Sequence, residues 1–168
     1  MAGLYLAIIA ALIGIDQIFK ELVVRNIAIG ESIPTIKIGS FEIFNLNHVL
    51  NNGAGWSILS GKTLFLIIFT SIILIIGVLY FIKNIKKHPM LTASLILLIS
   101  GGIGNLIDRI FRGGYVVDYI ETAFIDFPIF NFADICVVFG AILLIIYTIL
   151  FDKPEKTHKT AVTDNSDE

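Results

Sequence analysis

The chain has 168 residues, 56% hydrophobic and 15% charged, with a net charge of −2 and a mean hydropathy of +0.87. Soluble domains run at about 45–50% apolar and about 25% charged, so a freely soluble globule is excluded, and the near-neutral balance excludes a nucleic-acid footprint. The length allows one domain, and the lone Cys136 allows no intrachain disulfide and leaves the redox compartment unread.

The first apolar block runs from about Ala2 to Val24 and carries Asp16 and Lys20 late. It lacks a basic n-region and a small-x-small cleavage site, so it is expected to be a retained span. Asp16 and Lys20 stand at i, i+4 and share a helix face. Their plainer reading is a structural ion pair whose lysine snorkels to the interface.

The segment 25–63 follows. Within it, Ile36-Lys37-Ile38-Gly39-Ser40-Phe41-Glu42-Ile43 predicts a hairpin with a Gly39-Ser40 turn. That register pairs Ile38 with Phe41, Lys37 with Glu42 and Ile36 with Ile43. One face is then apolar, and the other holds an opposite-charge pair. An ordinary amphipathic loop is the alternative.

The second block runs from about Leu64 to Ile82, and Lys83-Asn84-Ile85-Lys86-Lys87-His88 leads into the third, about Met90 to Ile107. Asn105, Asp108 and Arg109 are expected at the end of that span. Gly101, Asn105, Asp108, Arg109 and Arg112 step by three or four residues and share one face. Gly101, Gly102 and Gly104 allow a neighbouring backbone to approach closely. In the segment 110–130, Gly113-Gly114-Tyr115-Val116-Val117-Asp118-Tyr119-Ile120 is apolar for a loop and places Asp118 at the bilayer surface. Alone, Asp118 also reads as a solvated loop acid. The fourth block runs from about Phe132 to Phe151, behind Asn131 and with Asp134 near its start. Asn131 can cap this helix with Asp134 at the favoured third position. Residues 1–152 are thus expected to form one integral-membrane domain, and 153–168 a polar, disordered cytoplasmic tail.

Each block approaches the ~20 residues that cross ~30 Å of hydrocarbon. Lys83, Lys86 and Lys87 between spans two and three and Lys153, Lys156 and Lys159 behind span four predict cytoplasmic termini, with 25–63 and 110–130 outside. Asp16 and Lys20, then Asn105, Asp108 and Arg109, then Asn131 and Asp134 fall at the same outer depth. A charge at a helix centre costs about 2.5–3.5 kcal/mol, so this convergence from three spans points to a site. Two aspartates at close range share a proton. The ionised one can draw a proton from water, and the protonated one can polarise a carbonyl. Other hydrolytic sets fit poorly. His88 and His158 fall on the cytoplasmic side, and His48 is alone outside, so a metal site lacks ligands and no cofactor is expected. A Ser57–His48 pair has no third member. Cys136 lies about 200° around the helix from Asp134 and is expected to pack as a small apolar residue.

Asp16-Gln17-Ile18-Phe19-Lys20, Asn51-Asn52-Gly53-Ala54, Gly102-Ile103-Gly104-Asn105-Leu106-Ile107-Asp108-Arg109, Gly114-Tyr115-Val116-Val117-Asp118-Tyr119-Ile120 and Phe127-Pro128-Ile129-Phe130-Asn131-Phe132-Ala133-Asp134 occur in this order. In this the chain resembles bacterial lipoprotein signal peptidase, or signal peptidase II. The resemblance implies a membrane all-α fold of four transmembrane helices with a small extracytoplasmic β-sheet that cradles substrate. It implies an aspartic endopeptidase with Asp118 and Asp134 as catalytic residues. It implies that Asn51, Gly53, Asn105, Asp108, Arg109, Asn131 and Ala133 bind substrate or brace the site, with Asp16 and Lys20 in support. It also implies a diacylglyceryl-prolipoprotein substrate cut before the lipidated cysteine, membrane lipid as surroundings, inhibition by globomycin-type lipopeptides and a monomeric enzyme of the bacterial cytoplasmic membrane. Gly55-Trp56 and Glu121 depart from the family's usual Ala-Phe and Asp, which bears on pocket shape. The alternatives are a proton-coupled transporter, against which no polar path crosses spans two or four and no inverted repeat is evident, and a membrane scaffold, which leaves the polar convergence unexplained.

Overall fold

A computed structural model describes residues 2–39, 41–53 and 58–151. Among these residues, four helices are long and apolar enough to cross a membrane. They are α1 (Ala2–Asn26), α2 (Thr63–Asn84), α3 (Pro89–Phe111) and α4 (Phe132–Leu150). Three strands, β1 (Ser32–Ile38), β2 (Phe41–Asn51) and β3 (Val116–Thr122), form an antiparallel sheet in the order β1-β2-β3. The expected tail, 153–168, lies outside the described residues.

Helix α3 is the centre of the bundle. Its buried residues recur every three or four positions, as Leu91, Leu95 and Ile99 do, because α1, α2 and α4 all pack on it. The α3–α4 contact is close because Gly101 and Gly140 carry no side chain. A Cβ on Gly140 would lie 2.9 Å from the Ser94 carbonyl oxygen, and one on Gly101 would collide with the Ala133 carbonyl oxygen. Close backbone approach is what associates helices in lipid, where burial of apolar surface drives little. The outward faces of α1 and α2 stay apolar and exposed, as at Leu6, Ile18, Phe69 and Ile76, which suits contact with hydrocarbon. His88 caps α3 by accepting from the Met90 N–H at 3.2 Å, with Pro89 at the first helical position. Its ring stacks on Phe151 at 4.3 Å, so the α2–α3 connection and the end of α4 share one end of the bundle.

The sheet covers the other end. Val117 and Tyr119 of β3 pack with Val23 and Ile27 at the end of α1. The predicted hairpin forms, with Ile38 opposite Phe41 and Lys37 opposite Glu42, the last two joined by an ion pair at 2.8 Å. It is longer than expected, and Ile36 pairs with Phe44, not Ile43. Ile43 in β2 and Thr35 in β1 are extra residues of two offsetting bulges, each of which shifts the side-chain alternation by one. Pro34 is tolerated because β1 is the edge strand. The segment 110–130, expected as a connection, instead finishes α3 at Phe111, forms β3 and returns to it through an Ile120–Phe130 bridge.

Candidate active site

Lys20 is fully buried, and its ammonium has three donors and three acceptors. It lies 2.9 Å from Asp16 Oδ2, 2.9 Å from Asp108 Oδ2 and 3.0 Å from Asn105 Oδ1. It therefore does not snorkel, because the carboxylates of α1 and α3 meet it inside the bundle. Asp108 extends the network by accepting from the Val117 N–H of β3 at 3.1 Å and from Arg112 Nε at 3.2 Å. Asp16 Oδ1 accepts from the Ala133 N–H at the start of α4, at 3.0 Å. Gln17 adds bonds to Asp16, Asp108 and the Gly104 carbonyl. A charge buried in this way is tolerated when each partner is hydrogen-bonded. The network ties α1, α3, α4 and β3 together at one depth.

Asp118 and Asp134 lie in front of this frame. Asn131 joins them. Its Nδ2 donates to Asp118 Oδ1 at 2.7 Å and to Asn105 Oδ1 at 3.1 Å, while its Oδ1 accepts from the Asp134 N–H at 2.9 Å. Asp134 Oδ2 accepts in return from the Asn131 N–H at 3.1 Å, which completes a capping box on α4. The cap and the site are thus one structure. Asn105 Nδ2 donates to Asp134 Oδ1 at 2.8 Å, and Asn51 Nδ2 to Asp118 Oδ2 at 2.9 Å. Every carboxylate oxygen of the pair is held by a named donor.

Both aspartates line a cavity of about 670 Å³ with Asn51, Asn105 and Arg109 on its polar side. Phe127, Phe130, Ile135, Val138 and Phe139 make the apolar side. Arg109 Nη2 donates to the Gly53 carbonyl at 2.8 Å, and Gly53 N–H donates to Asn51 Oδ1 at 2.8 Å. Arg109 Nε has no partner among the described residues. Burial, reinforced by the like charge of Asp134, pushes the Asp118 carboxyl up to about 7 against the downward pull of the Asn51 and Asn131 amides.

The shared face read on the third span divides in two. Asn105 and Arg109 line the cavity, whereas Asp108 and Arg112 turn to α1, where Arg112 Nη2 reaches Glu21 at 3.2 Å. Ala133 is buried behind the site with its N–H on Asp16 and is a brace. Cys136 is buried, as expected of a packing residue. His48 is buried with Nδ1 2.7 Å from the Ile27 carbonyl oxygen. Ser57 and Gly55-Trp56 lie outside the described residues. Sequence reading missed Gln17 as a frame member, although it stands between Asp16 and Lys20 in the first motif.

The family model described as signal peptidase (SPase) II matches residues 8–150. The chain is 43% identical over 155 residues to the lipoprotein signal peptidase of Enterococcus faecalis, covering 92% of this chain and 93% of that one. It is 43% identical over 150 residues to that of Streptococcus thermophilus, covering 89% and 94%. A bacterial membrane enzyme solved by the in meso method at 2.3 Å resolution superimposes with a TM-score of 0.80 at 37% identity, over 92% of this chain and 94% of that one. A second, at 1.9 Å resolution, gives 0.76 at 39% identity, over 90% and 95%. A polar frame at one end of four apolar helices, two carboxylates in one cavity and a match along nearly the whole chain agree: the chain belongs to the signal peptidase II family.

Proposed function

We propose that Asp118 and Asp134 are the catalytic pair with which this signal peptidase II removes signal peptides from diacylglyceryl-modified prolipoproteins, cutting before the lipidated cysteine. The observation that carries the reading is the joining of the two carboxylates by Asn131 on the wall of a half-apolar cavity. Membership in a peptidase family leaves the transporter reading without support.

The raised Asp118 holds the shared proton. Asp134, in the first turn of α4, is then the partner that receives a proton. Water between them gives a proton to Asp134 and attacks the scissile carbonyl carbon, while Asp118 protonates the carbonyl oxygen. The resulting gem-diol collapses as the amide nitrogen takes the proton from Asp134, the C–N bond breaks and Asp118 regains its own. Arg109 Nε, which has no partner among the described residues, is placed to hold a neighbouring peptide carbonyl. The apolar wall continues to Val138 and Phe139, which are exposed on the outside of α4. A diacylglyceryl group can rest there among lipid chains while its cysteine lies at the dyad. Globomycin-type lipopeptides would compete for the same cavity.

In this reading residues 1–152 are one peptidase domain and work as a monomer in the bacterial cytoplasmic membrane. Both termini are cytoplasmic and the site is on the outer side, since the basic 83–88 connection lies at the opposite end of the bundle. Reporter fusions within 83–88 and at Glu168 should both read cytoplasmic, and an external reading at either rejects the orientation. The catalytic assignment is tested with purified protein on a diacylglyceryl precursor peptide. Asp118→Asn and Asp134→Asn should each lose cleavage by at least about a hundredfold with unchanged melting, and near-normal turnover by either rejects it.

A further inference from the structure

A one-residue irregularity in β2 decides which side chain meets Asp118. Leu46 pairs with Ile120 and Val49 with Asp118, so three steps along β2 match two along β3. Asn47 and His48 contain the extra residue. Without it, regular pairing from Leu46 would set Leu50 opposite Val116 and turn Asn51 to the other face, since a slip of one residue reverses every side chain beyond it. With it, Asn51 pairs with Val116, on the face of Asp118, and its Nδ2 reaches Asp118 Oδ2 at 2.9 Å.

The bulge is anchored by His48, through three hydrogen bonds to the turn between α1 and β1. Its Nδ1–H donates to the Ile27 carbonyl at 2.7 Å, its carbonyl accepts from Gly30 N–H at 2.8 Å, and its N–H reaches the Glu31 carbonyl at 3.3 Å and Asn47 Oδ1 at 2.7 Å. Nε2 is buried and meets no partner among the described residues, so the ring is held through Nδ1 alone. Ile27 itself packs against β3 with Val23.

We propose that His48 is a positioning residue for the peptidase reaction: its ring fixes the β2 bulge to the end of α1 and so holds Asn51 in register with Asp118. The consequence reaches Arg109 as well, because Asn51 Oδ1 holds the Gly53 N–H and the Gly53 carbonyl holds Arg109. The inference rests on the reading of Asp118 and Asp134 as the reacting pair.

The test uses the full-length enzyme in detergent and a diacylglyceryl precursor peptide. His48→Phe keeps a ring but loses the donor, and kcat should fall by about tenfold to a hundredfold, the scale of a small misplacement of reacting groups. His48→Asn can set its amide N–H where Nδ1 stands and should recover most of the loss. The groups that face Asp118 are Asn51, Asn131, Asp134, Arg109 and Lys20. Losing the Asn51 bond should move the alkaline limb of the pH profile upward, in His48→Phe as in Asn51→Ala. Because both variants remove one interaction, the double variant should be no slower than Asn51→Ala alone. Should His48→Phe fail to fold, His48→Gln, which carries its amide one bond too far, gives the same contrast. An unshifted limb in both variants, or losses that multiply in the double variant, overturns the proposal. Cleavage by Asp118→Asn overturns the dyad reading instead, and is measured in the same assay.

Discussion

Lys20 brings a positive charge to a position with no exposed surface, between two aspartates that are themselves buried. Its contribution is best judged from what its removal leaves behind. Lys20→Met takes from Asp16 and Asp108 the buried cation they share, and breaking a buried pair in this way costs about 3–5 kcal/mol. A large fall in melting temperature in detergent is expected, with part of it recovered by adding Asp16→Asn. A shift of a degree or less would show that the lysine is not held as described. Asp118 allows a second prediction at this scale. In the proposed division of roles its carboxyl, raised to about 7 by burial and by Asp134, must be protonated to polarise the carbonyl. Cleavage should therefore be retained below that limb and fall as pH rises through it, by roughly tenfold per unit beyond. A rate that climbs through pH 7 to 9 would require the opposite division of roles. The limb belongs to the coupled pair and not to one side chain.

Between elements, the spacing of α1 and α3 is set by Gly104. A Cβ there would lie 2.6 Å from Asp16 Oδ2 and 3.2 Å from the Ala133 Cβ. Gly104→Ala should cost about 1–3 kcal/mol, as overpacking does, and should lower kcat because Asp16 holds the Ala133 N–H next to Asp134. Gly3→Ala, at a position with nothing within 4 Å, is the control, and equal behaviour of the two would refute the argument. The helices were legible because hydropathy over some twenty residues is a strong signal. The hairpin was legible from alternation, but only to Lys37 and Glu42, since a bulge leaves no mark that one sequence displays. Strand β3 carries its own signal, Tyr115-Val116-Val117 behind two glycines, but one short apolar run reads equally as a loop at the bilayer surface, since its partner β2 lies about seventy residues earlier. At Asn131 and Asp134 the sequence supports both a cap and a site, and the structure makes them the same hydrogen bonds. Lys20 reads from sequence as an interface residue, because periodicity does not report that a second carboxylate, 88 positions further on at Asp108, closes over it.

At the scale of the molecule, both the bundle and the sheet leave apolar side chains exposed. The helices present apolar faces to hydrocarbon, while Ile36, Ile38 and Phe41 stay exposed on the sheet. Phe41 meets Phe124, whose chain continues into the cavity wall at Phe127. A lipid chain gains little by moving from bilayer to protein, although transfer from water would be worth about 0.8 kcal/mol per CH₂. The diacylglyceryl group should thus act mainly by fixing the depth of its cysteine at the plane of Asp118 and Asp134, and orientation of that kind can lower a barrier by several kcal/mol. The expected outcome is that a precursor peptide bearing the group is cleaved at least about a hundredfold faster than the same peptide without it, in one detergent and at equal occupancy. Ile38→Ser with Phe41→Ser should slow the lipidated peptide while leaving the alkaline limb unmoved, because neither residue touches the dyad. Equal cleavage of the two peptides would mean that the lipid is not read, and the enzyme would then be a general aspartic peptidase of the membrane surface.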